Sequence, residues 1–134
     1  MISGARDARW ILAAGGLLVA AATLLGALGA HALQTRVAPE RLQVYETAVR
    51  YHFYHALGLL AIGLAARVVD SGLIRPAAIL VIAGIILFSG SLYALTFGAP
   101  RLLGVVTPIG GVALILGWIV FAVAVLRGTL NGGS

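Results

Sequence analysis

Three histidines, four tyrosines and a few serines and threonines are the side chains in this chain that could do chemistry. His31 closes the apolar stretch GALGAHAL, residues 26–33, where a glycine, asparagine or arginine is the commoner ending. Thr47, Tyr51 and His55 recur at i, i+4 and i+8 and so share one helical face, with His52 close enough in phase to turn the same way. Ser89 and Tyr93 are spaced i, i+4; Ser91 lies on roughly the opposite face of that helix, and Thr107 stands before Pro108. Two neutral imidazoles, His31 and His55, could ligate a haem iron axially, and His52 would add the third nitrogen of a catalytic zinc site. A pocket for a lipid headgroup or small amphiphile is a second chemistry, lined by His31, Tyr51, His55, Ser91 and Tyr93. The plainest use of these groups is interhelical hydrogen bonding. His31 would then bond the last carbonyls of its helix, Ser89 and Ser91 would bond back into theirs, and Thr107 would act as an N-cap.

Other chemistries have no foothold. There is no nucleophile elbow, P-loop, HExxH or pair of intramembrane carboxylates. The four acids, Asp7, Glu40, Glu46 and Asp70, fall at the ends of apolar runs or outside them, which argues against an ion pathway. Glu46 and Arg50 are spaced as a surface ion pair. The absence of cysteine excludes disulfides, thiolate zinc, Cys-ligated iron–sulfur clusters and c-type haem attachment. Neither an enzymatic activity nor a resident cofactor or metal is implied.

The elements that must position these residues are membrane helices. The 134-residue chain is 61% hydrophobic and 10% charged, with a mean hydropathy of +1.08. A soluble domain carries about 25% charged residues. The net charge of +5 comes from nine arginines, each at or near the end of an apolar run, where it can snorkel to headgroups. That dispersal leaves no basic stripe for nucleic acid. The spacing predicts an all-α, four-transmembrane-helix bundle as one domain, residues 1–134, with spans at about 10–33, 51–69, 76–97 and 103–126. Pro39, Pro76 and Pro108 fit first helical turns, so the second helix starts outside the bilayer near Pro39, and DSGLIR and FGAPRLLG read as turns. Arg6 and Arg9 before an apolar run ending in AHA look leader-like, but a run of about 20 residues exceeds a signal-peptide core, so it reads as a first span.

Four spans put both termini and DSGLIR on one side. That side collects Arg6, Arg9, Arg67, Arg75 and Arg127, against Arg36, Arg41, Arg50 and Arg101 on the other, a small excess favouring N-in/C-in. At 1.5 Å per residue His31 lies roughly 31 Å beyond Trp10. His55 falls a turn into the second span, and Ser89, Ser91 and Tyr93 late in the third. All four helices thus bring polar groups toward one leaflet. Small residues recur at packing distance as Ala22–Gly26–Ala30, with Gly16 and Ala20 before them, and as Gly110–Ala113–Gly117. These stripes suit bundle packing or a homo-oligomer seam.

At GALGAHAL, YHFYHALGLLA, LFSGSLYAL and VTPIGGVALILGW the chain resembles the YgdD/YwdK-like family of small bacterial inner-membrane proteins, a domain of unknown function. The resemblance covers about Trp10 to Leu126 and implies a four-span inner-membrane protein without an established activity. Its pattern falls on Gly26, Gly29, Ala30 and His31, on Thr47, Tyr51 and His55, on Ser89 to Tyr93, and on Thr107, Pro108, Gly110 and Gly111. His52, Glu46 and Arg50 lie outside it. The expected role is structural or accessory, assembling with a membrane-protein partner or further copies among membrane lipids. Binding or transport of a lipid or small amphiphile is the alternative, and a haem or metal redox module the third.

Overall fold

The computed structural model describes residues 2–132. Helix α1 (Ile2–Leu28) widens into a π-helical turn over Gly29–Leu33. Five residues later α2 (Pro39–Val68) begins, with Ala38 extended and Pro39 at its first position, where a missing N–H costs nothing. Helix α3 (Ile74–Thr96) follows the short strand β1 (Val69–Asp70). After Gly98, whose φ of 95° suits glycine, a 3-10 turn (Arg101–Val105) runs directly into α4 (Val106–Arg127). Strand β2 (Thr129–Leu130) then pairs antiparallel with β1, Val69 opposite Leu130 and Asp70 opposite Thr129. The fold is all-α apart from this clasp, which the sequence reading took for a plain turn. It ties the end of α4 to the α2–α3 connection, helped by the Asn131 N–H donating to the Val68 carbonyl at 2.8 Å.

The helices pack in chain order, α1 on α2, α2 on α3 and α3 on α4. A seven-residue period of small side chains sets these seams. On α1 the buried series is Ala8, Gly15, Ala22 and Gly29; on α4 it is Gly110, Gly117 and Ala124; on α3, Ala77, Gly84 and Ser91. A repeat of seven keeps one narrow face turned to a neighbour along the whole helix. Small side chains there allow the close backbone approach on which packing in lipid depends. A Cβ on Gly15 would lie 2.8 Å from Leu60, and one on Gly117 would lie 2.8 Å from Val81. The expected four-residue stripes are corrected accordingly. Gly110 and Gly117 are in the seam and Gly26 touches Val49, but Ala30 and Ala20 are exposed and Gly16 meets nothing within 4 Å.

Large apolar side chains cover the outside, Leu126 at 84% and Leu17 at 74% exposure among them. Lipid is the solvent that tolerates such a surface. Among the described residues, three helical segments are long and apolar enough to cross a bilayer: Gly4–Leu33, Ile74–Thr96 and Arg101–Arg127. The sequence reading expected four. Helix α2 has the length, 30 residues or roughly 45 Å, but Tyr51, His52, Tyr54 and His55 dilute its hydropathy.

The register of α2 also differs from expectation. Gly4 lies beside the Ala66 carbonyl, Gly15 beside Leu60, Gly26 beside Val49 and Gly29 beside Tyr45. The first turns of α2 therefore run alongside the last turns of α1 rather than beyond them. The short link over residues 34–38 leaves no room for an offset. His52 and His55 consequently sit near mid-length of the bundle, not close to one end of it.

Candidate functional site

The polar side chains meet as pairs, one or more at each seam. Tyr45, 1% exposed, lies between α1 and α3. Its hydroxyl donates to the Leu25 carbonyl beside the point where α1 passes into its π-helical turn. Its ring covers Gly29 and packs against Tyr93 and Phe97, at centroid distances of 5.4 and 6.1 Å. Two turns further along α2, His52 is 4% exposed. Its Nδ1 is 2.8 Å from the Tyr93 hydroxyl on α3. Its Nε2 is enclosed with no hydrogen-bond partner among the described residues. Between these layers the Ser89 hydroxyl donates to the Ala48 carbonyl at 2.8 Å, joining α3 to the backbone of α2.

Across the α3–α4 seam Ser91 and Thr107 share a hydrogen bond of 2.6 Å, and Ser91 also contacts the Phe88 carbonyl at 2.9 Å. Thr107 is thus an interhelical link and not the expected N-cap. The 3-10 turn leads straight into α4, Val105 occupies the cap position, and the Val106 N–H already bonds the Leu103 carbonyl. Between α2 and α4, the Trp118 indole N–H donates to His55 Nδ1 at 3.0 Å. Tyr51 stacks on His55 at 6.0 Å and tilts against Phe88 at 5.0 Å.

Of the expected cluster, Tyr51 and His55 share one locale, Ser91 and Thr107 a second, and Ser89 and Tyr93 meet α2 at two separate points. Thr47 only back-bonds to Gln43 in its own helix, at 3.0 Å. His31 stands exposed on the π-helical turn and makes no hydrogen bond among the described residues. Gly29, two residues before it, is level with Tyr45, which is ten residues or roughly 15 Å along α2 from His55. His31 and His55 therefore cannot face one another across a single iron, and the axial haem arrangement does not fit. His52 and His55 point to different neighbours, so the three-histidine metal set is not assembled either.

Sequence patterns point to neither Tyr45 nor Trp118 as a participant, and to His52 only as a third metal ligand. Tyr45 and His52 lie on the α2 stripe Tyr45–His52–Leu59–Ala66, buried at a spacing of seven; that period was the available signal. Nothing in the local sequence of Trp118 pairs it with His55.

Two hollows border the seams. One of about 320 Å³ lies over Tyr51, His55, Phe88, Gly111, Ile115 and Trp118. The other, of about 240 Å³, runs between α1 and α2 past Gly26, Ala30, Tyr45, Glu46 and Arg50. Ser91 and Tyr93 line neither.

An apolar exterior, membrane-length helices and internally paired polar groups define a small α-helical membrane protein. The chain belongs to the family described as a protein of unknown function, DUF423, which matches residues 25–111. Every hydrogen-bonded seam residue above lies within that stretch except Trp118. The UPF0382 membrane protein YwdK of Bacillus subtilis is 47% identical over 104 residues, covering 77% of this chain and 85% of that protein. A UPF0382 membrane protein of Staphylococcus epidermidis is 43% identical over 102 residues, 76% of this chain and 83% of its own length. UPF0382 membrane protein SAB0533 of Staphylococcus aureus is 44% identical over the same coverage. No solved structure matches.

Proposed function

We propose that the chain is a four-span protein of the inner membrane, N-in/C-in, that serves as a structural or accessory component of a larger membrane assembly. One observation carries the role. The polar side chains of the spans bond from helix to helix, His52 with Tyr93 and Ser91 with Thr107 side chain to side chain, Tyr45 and Ser89 to the Leu25 and Ala48 carbonyls, which suits a rigid bundle rather than a reactive constellation. The fourth span follows from packing. Helix α2 runs antiparallel along α1 and α3, so it crosses wherever they cross. The partner face is the α1–α2 hollow, where exposed Ala30 adjoins Glu46 and Arg50.

The chain has no cysteine, so single cysteines report topology cleanly. Gly72→Cys is expected to react with an impermeant maleimide from the cytoplasmic side and Thr35→Cys, in the exposed link before α2, from the opposite side; labelling of both from one side refutes four spans. For the role, native mass spectrometry in mild detergent should show a stoichiometric membrane partner or second copy that Ala30→Leu removes. A bare monomer for both proteins overturns it. Binding of a lipid or small amphiphile is the second reading, favoured by the hollow beside His55, away from the expected site at Ser91 and Tyr93.

A further inference from the structure

Hydrogen-bond chemistry fixes which nitrogen of His55 carries its proton. An indole N–H only donates, so the Nδ1 that receives the Trp118 bond must be an acceptor. The neutral imidazole then bears its hydrogen on Nε2. Among the described residues that N–H has no partner, and unlike His52 Nε2 it is not sealed inside the protein. His55 lines the hollow of about 320 Å³, whose aromatic walls are Tyr51, Phe88 and Trp118 and whose α4 side Gly111 leaves open. A bare N–H facing apolar walls and lipid tails is unfavourable, because no water replaces the missing acceptor.

From these observations we infer that the hollow binds an apolar molecule carrying a carbonyl, whose oxygen accepts the His55 Nε2–H while its flat end lies against Tyr51, Phe88 and Trp118. This rests on the amphiphile-binding reading and names the ligand chemistry and the recognising atom. A carbonyl is the right acceptor: it brings no charge into hydrocarbon and needs only the single donor present. Depth narrows the class. His55 is roughly 24 Å along α2 from Pro39 and roughly 20 Å from Val68, so the donor is near mid-bundle. A carbonyl compound dissolved in the membrane interior, such as a quinone ring on an apolar tail, reaches that depth directly. The ester of a glycerolipid reaches it only when drawn inward. The volume is at the lower end of small-molecule pockets, enough for one ring and the start of a tail.

The chain has two tryptophans, so Trp10→Phe leaves Trp118 as the sole indole reporter. In that background, reconstituted in phosphatidylcholine vesicles, decylubiquinone is expected to quench Trp118 emission saturably. Gly111→Leu should abolish the saturable part. A Cβ there meets only Phe88, at 3.8 Å, so the side chain fills the hollow without disturbing the seam. His55→Phe should weaken binding about fivefold to tenfold, the worth of one hydrogen bond. Should His55→Phe fail to fold, dodecylbenzene, which lacks the carbonyl, tests the same point on the unaltered site and should compete about fivefold to tenfold less well.

Native mass spectrometry separates the sources. A phospholipid mass that both variants lose, without decylubiquinone binding, supports the inference with an ester as the carbonyl. A ligand lost in Gly111→Leu but untouched by His55→Phe, or equal competition by dodecylbenzene, overturns the hydrogen bond and leaves amphiphile binding standing. No quench and no adduct sensitive to Gly111→Leu overturns both.

Discussion

Gly110→Ala isolates the contact on which the α3–α4 seam depends. A Cβ at Gly110 would overlap the backbone nitrogen of Phe88 and lie 2.8 Å from both Leu87 C and Phe88 Cα. These are backbone atoms in mid-helix, so no rotamer change relieves the overlap, and the helices must separate. Ordinary contact begins near 3.4 Å, so the required opening is at least several tenths of an ångström. Overpacking of this kind costs about 1–3 kcal/mol. The Ser91–Thr107 bond lies one turn away at 2.6 Å and stretches with it, adding about 0.6 kcal/mol, a typical value for hydrogen bonds between membrane helices. The sum is about 1.5–3.5 kcal/mol. Gly111→Ala is the control: its Cβ meets only Phe88 Cδ2 at 3.8 Å, and alanine's helix propensity gives it a slight advantage. Reversible unfolding in mixed micelles, followed by far-UV circular dichroism, measures both. If Gly110→Ala is no less stable than Gly111→Ala, the close approach of α3 and α4 is wrong.

Five further substitutions test the placement of the polar groups, each read in the same unfolding assay. His31→Ala is expected to stay within about 0.5 kcal/mol of the parent, as exposed substitutions do. His52→Ala should cost about 2 kcal/mol or more by opening a cavity and stranding the Tyr93 hydroxyl; the reverse order would return the functional weight to His31. Tyr45→Phe removes the donor to the Leu25 carbonyl and keeps the ring on Gly29, so a loss of about 1 kcal/mol is expected; no loss would mean that lipid or water serves that carbonyl equally well. In a double-mutant cycle, Ser91→Ala and Thr107→Val should couple by about 0.6 kcal/mol and by no more than about 1.7 kcal/mol; zero coupling would restore Thr107 to a role local to α4.

Much of the architecture was legible because local chemistry specifies it. Continuous apolar runs leave a chain in lipid little choice but helix, since each backbone N–H and C=O must be satisfied within its own segment. Pro39, Pro76 and Pro108 mark first turns, and the helices do begin at Pro39, at Ile74 and at Val106. Gly110 and Gly117 were readable as packing positions because small residues at helical spacing signal a close neighbour in lipid. The pairing among polar groups was not readable in the same way. Thr47, Tyr51 and His55 do share a face of α2, yet Thr47 bonds within its own helix and His55 meets Trp118, a partner 63 residues away.

The sequence by itself determined a small arginine-only membrane protein made of helices, and the residue types able to link them. Only the tertiary structure decided that Tyr45 and His52 are buried while His31 stands outside. It also decided that His52 and His55 lie near mid-bundle and that His55 lines a hollow. The reason is register. Sliding α2 by one turn against α1 leaves every local preference satisfied and every apolar run unchanged. Yet it alters which side chains are level with one another across the seams, and that alignment is held by distant contacts such as Tyr45 on Gly29 and Gly63 on Leu12.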